Sequence, residues 1–160
     1  MITPLIVLFL LTLPLGIYRL FSLQDWQRLG GAHGLALAYL FFCLGHFIKT
    51  AGMVQMLPPW IPFAEWLVYL TGVLEGLIAL GLLLPPWRKR AAMAALATLI
   101  LFFPANIYAA LHHTGLGGHQ WGPVYLFIRA PLQLLLLYWA WYFCLRDHGR
   151  FGLKAPANTF

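Results

Sequence analysis

Apolar runs of about 20 residues, separated by short polar or Pro/Gly-rich breaks, organise the whole chain. Five can be drawn: Ile2 to about Leu20, about Gly31 to Thr50, Glu65 to Leu84, Ala91 to Leu111, and Gly122 to Leu145. Each is close to the length that crosses a hydrocarbon core about 30 Å thick at about 1.5 Å per helical residue. The pattern predicts five transmembrane helices over 2–20, 31–50, 65–84, 91–111 and 122–145, in one domain spanning 1–160 with a tail over 146–160. The breaks are plausible stops: Gln24, Asp25 and Gln27 before Gly30-Gly31; Pro58-Pro59 and Pro62; Pro85-Pro86 before Trp87-Arg88-Lys89-Arg90; and Thr114 to Gln120 with three glycines.

Composition moves the reading from amphipathic helices to buried ones. With 62% hydrophobic and 9% charged residues among 160, the chain departs from the balance of water-soluble domains, and the expected class is an all-α integral membrane helical bundle. Eight of the ten basic residues fall in three places: Arg19 and Arg28 after the first span, Arg88, Lys89 and Arg90 after the third, and Arg146, Arg150 and Lys154 after the fifth. Alternation through five spans puts all three groups on one side, and the positive-inside rule makes that side the cytoplasm of an inner, cytoplasmic membrane, with the N-terminus outside and the C-terminus cytoplasmic. Met1-Ile2-Thr3-Pro4 has no basic residue and Tyr18-Arg19-Leu20 is a poor cleavage site, so the first run reads as a retained helix rather than a signal peptide. Loops facing anionic lipid account for the net charge of +6, and no nucleic acid is expected.

Polar residues inside the spans are the candidate chemistry. Glu75 and Arg129 carry formal charges where a charge costs roughly 2.5–3.5 kcal/mol on insertion scales, so each needs a partner or a task. Counted at about 1.5 Å per residue from the outer interface, Lys49 lies near it, His46 and Asn106 about 6–9 Å below, Arg129 about 10 Å, and Glu75 and Gln133 about 15 Å. His46 and Lys49 are three apart, with Cys43 and Tyr39 continuing their stripe inward; Arg129 and Gln133 are four apart. One pocket lined by spans two to five would hold them all, and a histidine within it can change protonation near neutral pH. The structural alternative is a Glu75–Arg129 ion pair that fixes helix register, with Asn106 and Gln133 as interhelical hydrogen-bond glue and Lys49 snorkelling to the interface.

Other groups carry weaker signals. His112, His113 and His119 in one outer loop have the makings of a zinc or copper site, but no acidic or cysteine ligand accompanies them and a solvated loop is the simpler reading. Cys43 falls near mid-bilayer and Cys144 at the inner end of the fifth span, too far apart in depth for a disulfide. The segment Ala51–Ala64 is too apolar for a solvated turn, while its three prolines stop a helix; it is either an interfacial anchor through Trp60 or a lid over the outer mouth.

Five ordered motifs also carry a resemblance: Gly45-His46-Phe47; Met56-Leu57-Pro58-Pro59-Trp60-Ile61-Pro62-Phe63; Tyr69-Leu70-Thr71-Gly72-Val73-Leu74-Glu75; Phe103-Pro104-Ala105-Asn106-Ile107-Tyr108; and Ile128-Arg129-Ala130-Pro131-Leu132-Gln133. From about Gly34 to Trp141 the chain resembles DoxX-like membrane proteins, four-helix bundles similar in architecture to the sterol-binding EXPERA group, here with an extra N-terminal helix. The resemblance implies a ligand cavity and association with quinone-linked redox assemblies. The expectation is an outer-leaflet polar cavity for a quinone or lipid-like molecule. Its ligand-binding candidates are His46, Lys49, Glu75, Asn106, Tyr108, Arg129 and Gln133, with His46 and Glu75 as proton carriers and Trp66, Phe103 and Tyr108 along the apolar part. No haem, flavin or iron–sulfur motif is present, so quinone is the one cofactor considered and electrons would come from a partner subunit. The alternative is a non-catalytic accessory or assembly subunit, or a chaperone. Expected partners are membrane lipid, a redox or other membrane protein, or further copies of the chain.

Overall fold

The computed structural model describes residues 2–114 and 118–146. Arg150 and Lys154, most of the expected tail, and the glycines at 115 and 117 lie outside the described residues. Helix dominates, with no strand among the described residues: α1 Ile2–Leu20, α2 Trp26–Ile48, a short α3 Thr50–Val54, α4 Ala64–Leu83, α5 Arg88–Leu111 and α6 Leu126–Ala140. A 3₁₀ segment, His119–Tyr125, leads into α6, and a π turn, Trp141–Leu145, ends it. The chain is a multi-pass membrane protein, an all-α bundle in which Ile2–Leu20, Trp26–Ile48, Ala64–Leu83, Arg88–Leu111 and Trp121–Leu145 are long and apolar enough to cross a bilayer.

Three starts differ from the expected boundaries, the fifth span being 3₁₀ over His119–Tyr125 and α-helical from Leu126 rather than Gly122. Helix α2 begins at Trp26 rather than Gly31, and α5 at Arg88 rather than Ala91. In both, interfacial polar residues continue the helix past the apolar run, so hydrophobicity marks the hydrocarbon core and not the hydrogen-bonded length. Gly30-Gly31 is therefore no stop. A Cβ on Gly30 would sit 2.9 Å from Leu15 Cα, and one on Gly34 would strike the Leu11 carbonyl oxygen, so this Gly-xxx-Gly pair lets α1 lie backbone to backbone on α2. α1 answers with one stripe, Pro4, Val7, Leu11 and Pro14, buried at three- and four-residue spacing, and turns its other faces outward.

α2 is the central helix, packed on α1, α4 and α6; α4 packs on α5 and α5 on α6. Around the four-helix core the order is α2, α4, α5, α6, so α4 and α6 face each other across its axis. Small residues at the α5 core positions, Ala91, Ala92, Ala95, Ala109 and Ala110, allow close approach, while Leu35, Leu82 and Leu136 fill the centre. Pro14, Pro104 and Pro131 sit within helices, as packed membrane helices tolerate. After α2, Lys49 leaves helical geometry, α3 makes one turn, and the prolines carry the chain to α4. Trp60 and Phe63 are 78% and 80% exposed, which favours the interfacial anchor over the lid for this segment.

Candidate functional site

Glu75 is held against His46 by a glycine. A Cβ on Gly72, one turn before Glu75 on α4, would lie 2.6 Å from His46 Cβ on α2, so only glycine lets the two helices meet there. His46 Nδ1 then lies 2.9 Å from Glu75 Oε2 and 3.0 Å from the Phe42 carbonyl oxygen. A proton on Nδ1 serves one acceptor at a time, and the ring geometry favours the Phe42 carbonyl. Glu75 Oε2 thus touches the imidazole at ion-pair distance yet receives no directed hydrogen bond. Glu75 is 95% buried by its 5% exposure, so that oxygen has no water to turn to.

The charge expected to answer Glu75 pairs elsewhere. Arg129 on α6 donates from Nε to Asn106 Oδ1 on α5 at 3.3 Å, and Asn106 Nδ2 donates to the Phe102 carbonyl at 2.9 Å. Among the described residues no Glu75–Arg129 contact within ion-pair distance forms, although each charge is felt at the other across the bundle. The correction is one of azimuth: similar depth on opposite helices does not make contact. One turn below Arg129, Gln133 is buried and donates to the Leu99 carbonyl of α5, leaving Gln133 Oε1 without a donor. No protein acceptor among the described residues meets the terminal nitrogens of Arg129. The bundle interior therefore holds two acceptors without a directed donor, on α4 and α6, with half-buried Arg129 one turn from the second.

Deeper still, Tyr39 on α2 donates its hydroxyl to the Ala95 carbonyl of α5 at 2.6 Å and lies 2.9 Å from Thr98 Oγ1. Sequence reasoning placed Tyr39 on the His46 stripe but missed Thr98. A threonine in an apolar helix bonds its own backbone by default, and nothing in the one-dimensional pattern singles this one out. The Tyr18 hydroxyl, 2.6 Å from His33 Nδ1, likewise ties α1 to α2 unannounced.

Three expected members fall outside the cluster. Lys49 is exposed because α2 ends at Ile48, so the helical spacing linking it to His46 no longer applies. Tyr108 stacks on His112, ring centroids 4.0 Å apart, on the far side of α5, as two residues of helix require after Asn106. Trp66 faces outward. Phe103, three before Asn106, keeps the shared face and is half-buried. The loop histidines diverge: His112 Nδ1 bonds the Tyr108 carbonyl, His113 packs its ring on Gly122, and His119 is buried edge-on to Tyr125. Among the described residues no three His, Cys, Asp or Glu side chains gather closely enough to hold a metal ion. Cys43 and Cys144 are both free thiols.

Two cavities open elsewhere. One of about 240 Å³ lies between α1 and α2 against Leu83, beside Tyr18 and His33. Another of about 280 Å³ lies at the basic end, between Arg28, Pro85, Arg88 and Cys144. Neither is lined by His46, Glu75 or Arg129.

Residues 35–144, which contain the whole polar cluster and exclude α1, match the family described as Domain of unknown function (DUF8561). The chain belongs to this family. No curated protein and no solved structure matches it. The DUF8561 match begins within α2 at Leu35, one residue after the glycine that seats α1, and α1 lies outside it.

Proposed function

We propose that the protein binds the polar head of a quinone or similar lipid-like molecule in the bundle interior, at the level of His46, Glu75, Arg129 and Gln133. One observation carries the reading: Glu75 Oε2 and Gln133 Oε1 are buried without a hydrogen-bond donor, while half-buried Arg129, across the axis from Glu75, bonds among the described residues through its Nε, to Asn106. A head group with a carbonyl on one side and a hydroxyl on the other satisfies both sets, since a carbonyl accepts from arginine and a hydroxyl donates to a carboxylate or amide oxygen. Quinone and quinol carry those groups on one ring. His46 and Glu75 then stand as proton carriers beside the ring oxygens. Electrons come from a partner subunit, which makes the chain the membrane component of a redox complex, in keeping with its DoxX-like motifs. The site faces the outer leaflet of the cytoplasmic membrane, on the positive-inside assignment of the basic end to the cytoplasm.

A second reading has its own support. The His46–Glu75 contact at 2.9 Å and the Arg129–Asn106 hydrogen bond already pair the charges, and neither cavity described reaches them. On that reading the chain is an accessory or assembly subunit whose polar cluster sets helix register. Native mass spectrometry of protein released from mild detergent separates the two. The ligand reading expects a retained isoprenoid-sized mass in wild type that is lost in Glu75→Gln and Arg129→Leu, both still inserted and folded. Wild type with no bound mass beyond ordinary phospholipid, or variants that retain the ligand fully, would sink it.

A further inference from the structure

Beside the seam that seats α1, the fold leaves a groove that is polar at one end and apolar at the other. It is the cavity of about 240 Å³ between α1, α2 and Leu83 at the end of α4, and among the described residues no charged side chain lines it. Its polar end is a single pair: the Tyr18 hydroxyl lies 2.6 Å from His33 Nδ1, with the two rings edge to face and their centroids 5.6 Å apart. Both side chains are half-buried, so the pair belongs to the groove wall and not to the closed core. Tyr18 is two residues from the end of α1, near the interface at the basic end. α1 and α2 run antiparallel, Leu15 meeting Gly30 and Leu11 meeting Gly34. One turn back from Tyr18 and one turn on from His33 therefore both lead deeper, to Pro14 and Leu37. The groove thus passes from a hydrogen-bonding end near the interface to an apolar end in hydrocarbon. Ile17 and Leu83, 42% and 43% exposed, form a rim open toward lipid.

The chemistry of the pair selects the head group. In a neutral imidazole one ring nitrogen donates and the other accepts. If Tyr18 donates to Nδ1, the His33 Nε2–H remains a donor and the phenol oxygen an acceptor. If Nδ1–H donates to the phenol oxygen, Nε2 remains an acceptor and the phenol O–H a donor. Either tautomer presents one donor and one acceptor beyond the bond already made. A hydroxyl group donates and accepts at once and answers both, whereas an ester or a phosphate only accepts and answers half. The volume is smaller than the roughly 300–1,000 Å³ that encloses a whole drug-sized molecule, so the groove holds a head and the start of one chain and leaves the rest in the bilayer.

We infer that this groove binds a neutral lipid with a free hydroxyl head group, the hydroxyl on the Tyr18–His33 pair and the chain along Pro14 and Leu37. The site shares no side chain with the His46–Glu75–Arg129 cluster and does not depend on the reading of that cluster. α1, which lies outside the family match, supplies Pro14, Ile17 and Tyr18 to it.

The test is thermal unfolding of the full chain in phosphatidylcholine nanodiscs, whose lipid has no hydroxyl head, titrated with dioctanoylglycerol or with its acetyl ester, which lacks the free hydroxyl. The free alcohol raises the unfolding temperature of wild type and the ester does not. Tyr18→Phe weakens the apparent affinity about five- to tenfold. Tyr138→Phe, which removes the hydroxyl of an exposed α6 tyrosine outside the groove, leaves it within about twofold. Leu37→Trp, which fills the deep end and keeps the pair, abolishes the response; if it does not fold, the Tyr18 result decides the matter. Each shift is read against the same variant without added lipid. Equal stabilisation by alcohol and ester, none by either, or equal effects of Tyr18→Phe and Tyr138→Phe overturns the assignment.

Discussion

A carboxylate in hydrocarbon is tolerated only while something beside it compensates its charge, and at Glu75 that something is the His46 imidazole. The two partners are not equivalent when removed. Glu75→Leu leaves an imidazole still bonded to the Phe42 carbonyl, whereas His46→Leu removes the one group at ion-pair distance from the buried Glu75 carboxyl group among the described residues. His46→Leu is therefore expected to destabilise more, by about 1–3 kcal/mol, and the double variant to cost less than the sum of the singles. Equal single effects that add would show the contact to be incidental; reversible unfolding in detergent measures it. Tyr39→Phe is expected to cost only about 1 kcal/mol, because Thr98 Oγ1 also donates to the Ala95 carbonyl at 3.0 Å and keeps that acceptor satisfied. The residues of this cluster were legible in sequence because polar groups are conspicuous among leucines, and their depth followed from counting. Their partners were not. Helix spacing says how far down a side chain sits but not which neighbour it faces, so Glu75 was matched to Arg129 when Gly72 had already brought it against His46.

Elements meet where side chains are smallest. Gly34 and Gly16 are both glycines of the first two helices, yet a Cβ on Gly34 would strike the Leu11 backbone and one on Gly16 would meet nothing within 4 Å. Gly34→Ala is expected to destabilise by about 1–3 kcal/mol by forcing α1 off α2. Gly16→Ala, relieved of glycine's excess backbone entropy in a helix, is expected to be neutral or to stabilise by about 0.5–1 kcal/mol. Thermal unfolding of the two variants side by side checks this, and an equal effect would mean that α1 is not seated as described. Five spans were readable from hydrophobic length alone. The α1–α2 seam was not, because Gly30 and Gly34 look the same in sequence whether they end a helix or let another helix approach. Trp26 to Leu29 were missed for a related reason: polar interfacial residues break the apolar run without breaking the hydrogen bonding, and Leu29 N–H still reaches the Asp25 carbonyl.

For the molecule as a whole, the decisive asymmetry is that the basic residues gather at one end, while exposed aromatics ring both. Arg28, Arg88 and Lys89 converge on one cavity, so the alternation inferred from their spacing is a property of the fold. The other end carries exposed Trp60, Phe63 and Trp121. If the basic end faces the cytoplasm, as proposed above from the positive-inside rule, exposed Gln27 in the first turn of α2 is cytoplasmic and exposed Gln55 after α3 is external. The experiment replaces Cys43 and Cys144 with alanine, introduces Gln27→Cys or Gln55→Cys, and treats intact cells with a membrane-impermeant maleimide. Gln55→Cys is expected to label in intact cells and Gln27→Cys only after permeabilisation. The converse pattern would invert the topology and place the His46–Glu75–Arg129 cluster in the inner leaflet. A ligand entering from that leaflet would then reach the cluster from the cytoplasmic side, and the basic end would face outward. The orientation is thus coupled to the route into the cluster, because the fold holds the cluster and the basic end at opposite ends of the same four helices.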